Sequence, residues 1–440
     1  MTGFDIGIDG YNLALPNGTG VATYGHVLTD VLRGAGHRAT GLFGVDAGAD
    51  AAMREVLFYD RLGQVPPTPR LRRKRSRRIR LTALNPFLAR TADEVPRTGR
   101  IETANLAERL PAFDRLTTVP NLFEIAHRHF ALYGCFLPVR MPAPPTIMHW
   151  TYPLPILLEG AANIYTLHDL VPLRMPYTTL DAKRAYRDLL AACVTHAAHL
   201  CTVSESSRAD IIAEFGISPE RITNCYQASP LPSPTDDPRD DAAMIENIFG
   251  LPHRGYFLHF GAIEPKKNIG RLLEAYLATG VSAPLVLTGG RGWHAQDELR
   301  LLVPDDEADT VHGRRMAERV RRLEHLSRPL LARLIRGARA VLFPSIWEGF
   351  GLPVLEAMQL GTPVLTSDRG ALAEIAGEAA LLVDPYDVAA IAAGIKALDA
   401  DPALRDRFAT AGPRAAARFS AEAYAGRLEI MYARALGATK

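Results

Sequence analysis

The sequence has few cysteines, almost no net charge and no long hydrophobic run. Its 440 residues include four cysteines, which show neither a CxxC pair nor the spacing of metal ligands. Few unpatterned cysteines in a large chain favour a reducing compartment over a disulfide-bonded scaffold. Lysine and arginine number 50 against 48 acidic residues. This balance gives no overall indication of a nucleic-acid-binding protein.

Two kinds of targeting segment are also missing. No run of about 18 apolar residues occurs, so we expect no transmembrane helix. The N-terminal residues lack the basic and apolar regions of a secretory signal. Glycine (35) and proline (32) are near average usage, which excludes collagen-like and broadly disordered chains. The composition therefore predicts a cytoplasmic protein, and its length suggests two or three domains.

Short apolar strands alternate with helical patterns along the chain. Residues 4–9 predict a strand, and a glycine-containing loop and a helical pattern ending near Gly34 follow it. The same order recurs after Asn163 and again after Tyr256. Four prolines between residues 228 and 238 predict a linker. We therefore predict an α/β fold with two doubly wound Rossmann-like domains that face each other across a cleft.

Residues 344–358 carry the densest motif, Pro-Ser-Ile-Trp-Glu-Gly-Phe-Gly-Leu-Pro-Val-Leu-Glu-Ala-Met. Pro353 suits a first helical turn, where its missing N–H is not needed. The glycine loop before it can direct backbone N–H groups and the helix dipole at an anionic or hydroxylated ligand. Glu348 and Glu356 can both point into one cleft. A solvated glutamate and an ordinary charge in a first helical turn would also explain them.

This motif and the Gly-Thr-Pro-Val that follows at 361–364 closely resemble the donor-site signature of the retaining family 4 glycosyltransferases, which have the GT-B fold. The resemblance covers nearly the whole chain and is weakest from about 45 to 145. It implies that Glu348 is a catalytic residue by the donor sugar and that Glu356 hydrogen-bonds the nucleotide ribose. The backbone amides that would hold sugar hydroxyls are those around Phe350, Gly351 and Leu352.

A second segment, Phe260-Gly-Ala-Ile-Glu-Pro-Lys-Lys-Asn268, resembles the phosphate-binding loop of the same family. The resemblance implies that Lys267 contacts the donor diphosphate, with Lys266 beside it. Because the leaving diphosphate develops negative charge, a positioned ammonium stabilises the transition state more than the ground state. Many relatives carry a second phosphate-binding arginine where this chain has Ala262. Arg291 is our candidate for its replacement.

The segment Asn17-Gly-Thr-Gly-Val-Ala-Thr-Tyr24 resembles the N-terminal glycine loop that closes over the donor phosphates. Gly18 and Gly20 allow close approach of the backbone to a ligand. With Gly25, their spacing does not match GxGxxG, so a nicotinamide-dependent dehydrogenase is poorly supported.

His168 follows a predicted strand and begins a His-Asp pair that relatives also carry. The resemblance implies that His168 is catalytic and that Asp169 lies on the acceptor side of the cleft. A second polar and aromatic cluster follows another predicted strand and could either stack on an acceptor sugar or pack in the core. Its members are His149, Trp150 and Tyr152.

The domain assignment also comes from the resemblance. Residues 1–230 would bind the acceptor, residues 240–420 would bind the donor, and a helix at about 421–440 would pack back on the first domain. We expect no metal site and no cofactor beyond the nucleotide-sugar substrate. The one Asp-x-Asp sequence, at 399–401, lies at the end of a helical stretch, where we expect surface residues.

Residues 70–80 place eight basic side chains in eleven positions. No aromatic residues are interleaved with them, so we do not expect a nucleic-acid partner. A solvated loop is one interpretation. The other is attraction to an anionic membrane at about 1 kcal/mol per basic residue, with the apolar segment 81–88 adding an interfacial contact.

The motifs do not specify the donor sugar directly. Their combination resembles bacterial mannosyltransferases of polysaccharide and lipopolysaccharide assembly, which favours GDP-mannose and a saccharide or lipid-linked saccharide acceptor. A UDP- or dTDP-sugar donor, a nucleotide-sugar epimerase of GT-B fold and a non-catalytic sugar-nucleotide-binding subunit stay open. The expected location is the cytoplasm, with peripheral binding to the cytoplasmic membrane if the basic run binds lipid.

Overall fold

The computed structural model describes residues 3–15, 20–62, 64, 79, 89–103, 106, 110–175, 177, 182–229, 231, 238–302, 310–323 and 326–437. Four features discussed above lie wholly or largely outside these residues: Gly18, the basic run 70–80 except Ile79, the segment 81–88, and most of the predicted linker.

The strands are β1 (Asp5–Asp9), β2 (Arg38–Phe43), β3 (Arg90–Thr91), β4 (Asp93–Val95), β5 (Arg115–Thr118), β6 (Leu137–Arg140), β7 (Ile147–Trp150), β8 (Ile156–Leu158), β9 (Ala162–Thr166), β10 (His199–Thr202), β11 (Ile222–Asn224), β12 (Phe257–Phe260), β13 (Leu285–Thr288), β14 (Val320–Leu323), β15 (Ala340–Phe343), β16 (Val364–Ser367) and β17 (Leu381–Val383).

The helices are α1 (Gly20–Gly34), α2 (Arg54–Arg61), α3 (Leu122–Tyr133), α4 (Val171–Arg174), α5 (Lys183–His196), α6 (Glu205–Phe215), α7 (Pro238–Phe249), α8 (Ile269–Thr279), α9 (Ala295–Glu298), α10 (Val311–Arg319), α11 (Arg328–Gly337), α12 (Leu352–Gln359), α13 (Gly370–Ala376), α14 (Val388–Ala400), α15 (Pro402–Ala416) and α16 (Ala421–Gly437). In the described part of the chain, none is long and apolar enough to cross a bilayer.

The N-terminal half is built on a sheet with the strand order β11-β10-β9-β7-β1-β2-β5-β4. Its pairings are parallel apart from the antiparallel pairing of β4 with β5. Every residue of β7 and β9 is buried. Continuous burial of this kind is typical of central parallel strands with helices on both faces. A smaller parallel sheet, β3-β6-β8, lies in the same half.

The C-terminal half contains a fully parallel sheet with the order β14-β13-β12-β15-β16-β17. The chain proceeds outward in one direction from β12 and in the other from β15. Ligands of open α/β sheets bind at such a switch point, outside the carboxyl ends of the strands. The loops that leave β12 and β15 there carry the lysine pair and the glutamate motif.

The last helix, α16, packs on the N-terminal half. Its buried side chains recur at helical spacing, as in an amphipathic helix with one apolar stripe. Met431 Sδ lies 3.6 Å from Cys225 Sγ, and Tyr432 is hydrogen-bonded to His149. The two parallel sheets with flanking helices confirm the predicted α/β fold class.

Candidate active site

In the loop between β15 and α12, Gly351 has a positive φ of +113°, which L-amino acids with a side chain rarely adopt. A side chain there would lie 2.7 Å from Cδ2 of Leu372, so both the backbone and the packing require glycine. Phe350 is buried, with its ring 5.6 Å from that of Phe419 in an edge-on contact. Its backbone, rather than its side chain, is therefore what a ligand could contact. Pro353 has no N–H, and the N–H groups of Val354 and Leu355 donate to the Gly351 carbonyl oxygen at 3.0 and 3.2 Å. The backbone amides that suit an anionic or hydroxylated ligand are therefore the ones around Phe350, Gly351 and Leu352, where the helix begins.

The lysine pair lies in a short 3₁₀ turn, Pro265–Lys267, directly after β12. Asn268 closes this turn in the left-handed conformation, with φ of +62°. Its side-chain amide donates to the carbonyl oxygens of Pro344 at 2.9 Å and Pro385 at 2.7 Å. The N–H of Ile346 donates to the Lys266 carbonyl at 2.8 Å. These bonds hold the lysine turn and the glutamate loop together.

The result is a buried cluster of charges. Lys267 Nζ lies 2.5 Å from Oε1 of Glu348, and Lys266 Nζ lies 4.0 Å from Oε2 of the same carboxylate. Burial alone would raise the pKa of Glu348, but the two ammonium groups outweigh it and the pKa is lowered. For Lys266, burial acts to lower the pKa, but the carboxylates of Glu348 and Glu264 act in the opposite direction and are stronger. The pKa of Lys266 is therefore raised. Both groups are therefore charged at neutral pH.

Glu356 has a different environment, in the second turn of α12. Its side chain is 9% exposed. Burial raises its pKa to about 7, and the positive charge of Arg328 opposes that rise. Two carboxylates in one motif thus have different protonation behaviour, with Glu348 ionised and Glu356 titrating near neutrality.

His168 and Asp169 come from the other half of the molecule and meet the glutamate loop at Gly349. A side chain at Gly349 would lie 2.8 Å from Oδ2 of Asp169 and 2.9 Å from the His168 carbonyl oxygen. His168 Nε2 is 2.8 Å from the carbonyl oxygen of Thr151. Because only an N–H can donate to a carbonyl, Nε2 carries the proton and Nδ1 keeps a lone pair when the ring is neutral. Burial lowers the pKa of His168, which favours that neutral form.

The comparisons with known proteins agree with this geometry. The sequence model of the family described as "Glycosyl transferases group 1" matches residues 246–415. The O-antigen chain mannosyltransferase B of Escherichia coli is 36% identical over 276 residues, which is 61% of this chain and 69% of that protein. The chain belongs to the group 1 glycosyltransferases. The predicted family and enzyme class are confirmed.

Other relatives are more distant. The O-antigen chain mannosyltransferase RfbU of Salmonella typhimurium is 29% identical over 243 residues, 55% of this chain and 62% of that protein.

Two solved structures share the fold over nearly their whole length. Anabaena HepE in complex with UDP and glucose has a TM-score of 0.62 at 14% identity, with 98% of this chain and 99% of that chain covered. The sucrose-phosphate synthase of Thermosynechococcus elongatus has a TM-score of 0.64 at 19% identity, with 99% of both chains covered. The GT-B prediction is confirmed.

The remaining predicted donor residues of this glycosyltransferase are Gly18, Gly20 and Arg291. Gly20 begins α1, and Gly18 is not among the described residues. Arg291 is exposed, in a loop that pairs with the lysine segment, where Ile263 exchanges backbone hydrogen bonds with Gly290 and Gly292. Its role as a phosphate ligand stays a prediction.

The acceptor-side cluster requires a correction. Trp150 is completely buried, stacks on Tyr165 at 6.2 Å and donates to the Asn163 side chain at 3.0 Å. His149 is also completely buried. Both belong to β7, whose residues are all buried, so their side chains pack in the core and are not available to a sugar. Tyr152 is half-buried in the loop after β7.

Three residues of the site were not assigned any role from the sequence. Arg328, at the start of α11, donates to Oγ1 of Thr23 in α1 at 3.2 Å and acts electrostatically on Glu356. Tyr24 packs edge-on against His168 at 4.8 Å. Glu374, in α13, accepts hydrogen bonds from backbone N–H groups at the start of α6. All three act between segments far apart in sequence, so local spacing could not have identified them.

The aspartates of the Asp-x-Asp sequence have structural partners. Asp401 caps α15 by accepting from the N–H of Leu404, and Asp399 pairs with Arg339. Within the described ranges, no cluster of three or more histidine, cysteine or acidic side chains has the arrangement of a metal site.

Proposed function

We propose that this glycosyltransferase transfers mannose from GDP-mannose to a saccharide or lipid-linked saccharide acceptor during assembly of a bacterial surface polysaccharide. The observation that carries transfer chemistry is the Lys267–Glu348 pair, which lies beside the His168–Asp169 segment through Gly349. The choice of mannose is supported by the names of the relatives, among them the O-antigen chain mannosyltransferase B of E. coli and the MMP alpha-(1->4)-mannosyltransferase of Mycolicibacterium hassiacum, which is 30% identical over 242 residues.

In this proposal the C-terminal half holds the donor. Lys267 and Lys266 bind the diphosphate, and Glu356 accepts hydrogen bonds from the ribose hydroxyls. The backbone amides around Phe350, Gly351 and Leu352 contact the sugar. An ammonium that faces the diphosphate stabilises the charge that develops on the leaving group. The buried, low-dielectric position of the pair strengthens this interaction compared with an exposed one.

The chemistry we propose proceeds with retention of configuration. The bond between the anomeric carbon and the diphosphate oxygen breaks, and the acceptor oxygen forms its bond on the same face of the sugar. The acceptor proton passes to the departing phosphate oxygen, so no separate base is required. His168, with a lone pair on Nδ1, accepts a hydrogen bond from a sugar hydroxyl, and the closed cleft excludes water that would hydrolyse the donor.

The acceptor would bind to the N-terminal half, with Asp169 and Tyr152 near its sugar. We further propose that the basic run at 70–80 holds the enzyme at the anionic inner face of the cytoplasmic membrane, where a lipid-linked acceptor would lie. Deletion of residues 70–80 should abolish co-sedimentation with anionic liposomes and leave donor hydrolysis unchanged. Unchanged sedimentation would refute the membrane role.

A panel of GDP-, UDP- and dTDP-sugars tests the donor assignment. We expect GDP-mannose to raise the melting temperature most and to release GDP far faster when a saccharide acceptor is present than by slow hydrolysis without one. NMR of the product should show that the anomeric configuration of the donor is retained. Preferential stabilisation by a UDP- or dTDP-sugar would refute the mannose donor. Stabilisation without diphosphate release on any acceptor would refute transfer.

A further inference from the structure

A chain of buried polar side chains connects the C-terminal helix to the sheet beneath the active site. The hydroxyl of Tyr432, in α16, lies 2.7 Å from Nδ1 of His149. The other ring nitrogen of His149, Nε2, lies 2.7 Å from Oγ1 of Thr166, at the end of β9. All three side chains are completely buried.

Tyr24 extends this chain to the predicted catalytic histidine. Its hydroxyl lies 3.1 Å from Oγ1 of Thr166. Its ring centroid lies 4.8 Å from that of His168, with the ring planes at 84°. Such edge-on contacts have a preferred geometry and add to the energy of burial. The hydroxyl of Thr166 thus contacts both Tyr24 and His149. Thr166 lies two residues before His168 in the chain.

The other contacts of His168 leave little freedom for its ring. The Thr151 carbonyl fixes Nε2 at 2.8 Å, and the N–H of Thr151 in turn donates to the buried carboxylate of Asp9, at the end of β1. The imidazole of His168 is therefore restrained by the hydrogen bond of Nε2 and by the ring of Tyr24. Because the hydroxyl of Tyr24 is hydrogen-bonded to Thr166, the Tyr24 ring is held in place more firmly than packing alone would hold it.

The burial of the network makes its hydrogen bonds interdependent. With one hydroxyl removed, a partner is left unsatisfied in a site without solvent, and the neighbouring side chains must adjust. Each member comes from a different element: α1, β7, β9 and α16. A shift in any one of them would therefore change the position of Tyr24 against His168.

We propose that Tyr24, Thr166, His149 and Tyr432 form a positioning network that holds the ring of His168 for glycosyl transfer and makes the C-terminal helix part of the catalytic apparatus. The network does not contact the substrate, and its members are positioning residues. The inference rests on the proposed function, specifically on the role of His168 in the transfer.

The chain offers a matched control. Tyr165 lies in the same sheet, is completely buried and donates its hydroxyl proton to the Ile156 carbonyl at 2.6 Å. Its change to phenylalanine removes one buried hydroxyl in the same half of the molecule, from a side chain on the opposite face of β9 to Thr166. A purely structural effect of a lost tyrosine hydroxyl should therefore be similar in Y165F, Y24F and Y432F.

The test compares Y24F, Y432F and Y165F in the full chain, with GDP-mannose as donor and the nucleoside diphosphate as binding probe. We expect similar decreases in melting temperature for all three variants. Y24F and Y432F should lose roughly tenfold in kcat because the histidine is misplaced, whereas the donor KM and the GDP Kd stay within about twofold of wild type. Y165F should keep wild-type kcat below its melting temperature.

The inference is overturned if Y24F and Y432F have the kcat of Y165F, or if their loss appears in donor KM and GDP Kd instead. If Y432F does not fold, Y24F decides the outcome, because Tyr24 is the member of the network whose ring contacts His168. H168A tests the underlying assumption separately. Full activity of H168A would refute the role of His168 itself, whereas an inactive H168A with wild-type kcat in Y24F would refute only the network.

Discussion

Lys267 Nζ lies 2.5 Å from Oε1 of Glu348, and both side chains are almost buried, at 11% and 8% exposure. This ion pair joins the loops that follow β12 and β15 at the switch point of the C-terminal sheet. Loss of one partner from a buried pair leaves the other charge uncompensated, which typically destabilises a protein by about 3–5 kcal/mol. The pair should therefore contribute both to folding and to binding of the diphosphate.

We expect K267A to weaken binding of the nucleoside diphosphate by roughly tenfold or more, because a charge-assisted contact to phosphate is lost in a buried site. Isothermal titration calorimetry with GDP measures this directly. K266A should have a smaller effect, since its ammonium is farther from Glu348 and more exposed. K396A removes an exposed lysine from α14 in the same half and is the control for net charge. Equal affinities for K267A and K396A would contradict the assignment.

The pKa of Glu356 gives a prediction for stability. It is about 7 in the folded protein, against an ordinary value of 4.5. Folding therefore favours the protonated form, and the wild type should lose stability as the pH rises from about 4.5 to about 7, by about 3 kcal/mol at most. E356Q stays neutral and lacks this loss. Denaturant unfolding at about pH 5 and pH 8 should show E356Q gaining stability relative to wild type at the higher pH. A pH-independent difference would refute the raised pKa.

The sequence brought Glu348 and Lys267 to one site, whereas it left the position of His149 and Trp150 undecided. Glu348 and Lys267 occur in two short motifs that resemble the same glycosyltransferase family, and that resemblance indicated a shared site. The structure brings them together because their loops leave the neighbouring parallel strands β15 and β12. For His149 and Trp150 the sequence left two interpretations open, because a polar or aromatic residue at a strand end can face either the cleft or the core. The packing of Tyr432 on His149 and of Tyr165 on Trp150 favours the core for both.

Contacts between the two halves could not be predicted from local patterns. Arg328 and Thr23 are 305 positions apart and meet only in the folded chain. Tyr24 has the spacing of an ordinary buried helical residue, and nothing in that spacing distinguishes a core tyrosine from one that packs on His168. The sequence therefore identified residues that lie in motifs resembling those of relatives. It did not identify the residues that position them.

Arg328 should change the pH dependence of nucleotide binding. An ionised Glu356 accepts hydrogen bonds from ribose more strongly than a protonated one, so affinity for the nucleoside diphosphate should increase as the pH rises through about 7. The charge of Arg328 opposes the rise in the Glu356 pKa, so R328Q should move the midpoint of this transition to higher pH. GDP titrations across the pH range measure the midpoint, and E356Q corrects for titration of the phosphates.

Thr23 provides the matched control for this effect. T23V removes the partner of Arg328 in α1 without removing the guanidinium near Glu356. It should leave the midpoint where wild type has it. A midpoint that moves equally in T23V and R328Q would mean that closure of the two halves, rather than the charge of Arg328, controls the titration.

Glu374 joins the two halves at a second point. Its carboxylate accepts from the N–H groups of Glu205 at 2.9 Å and Ser206 at 3.1 Å, at the positive end of α6. Two hydrogen bonds to a helix start contribute about 1–2 kcal/mol, enough to change the ratio of open to closed molecules by roughly tenfold. We therefore expect E374A to enlarge the radius of gyration measured by small-angle X-ray scattering without substrate.

E378A is the matched control, because Glu378 is exposed just beyond α13 and its removal changes the net charge equally without breaking this contact. The radius of gyration of E378A should equal that of wild type. E374Q retains an acceptor oxygen but loses the charge that the helix dipole favours, and its radius should fall between those of wild type and E374A. Because closure must precede transfer, E374A should also raise the donor KM, and saturating donor should restore the compact form. An E374A protein as compact as E378A would show that the other contacts between the halves, such as Arg328 with Thr23, suffice to keep the cleft closed.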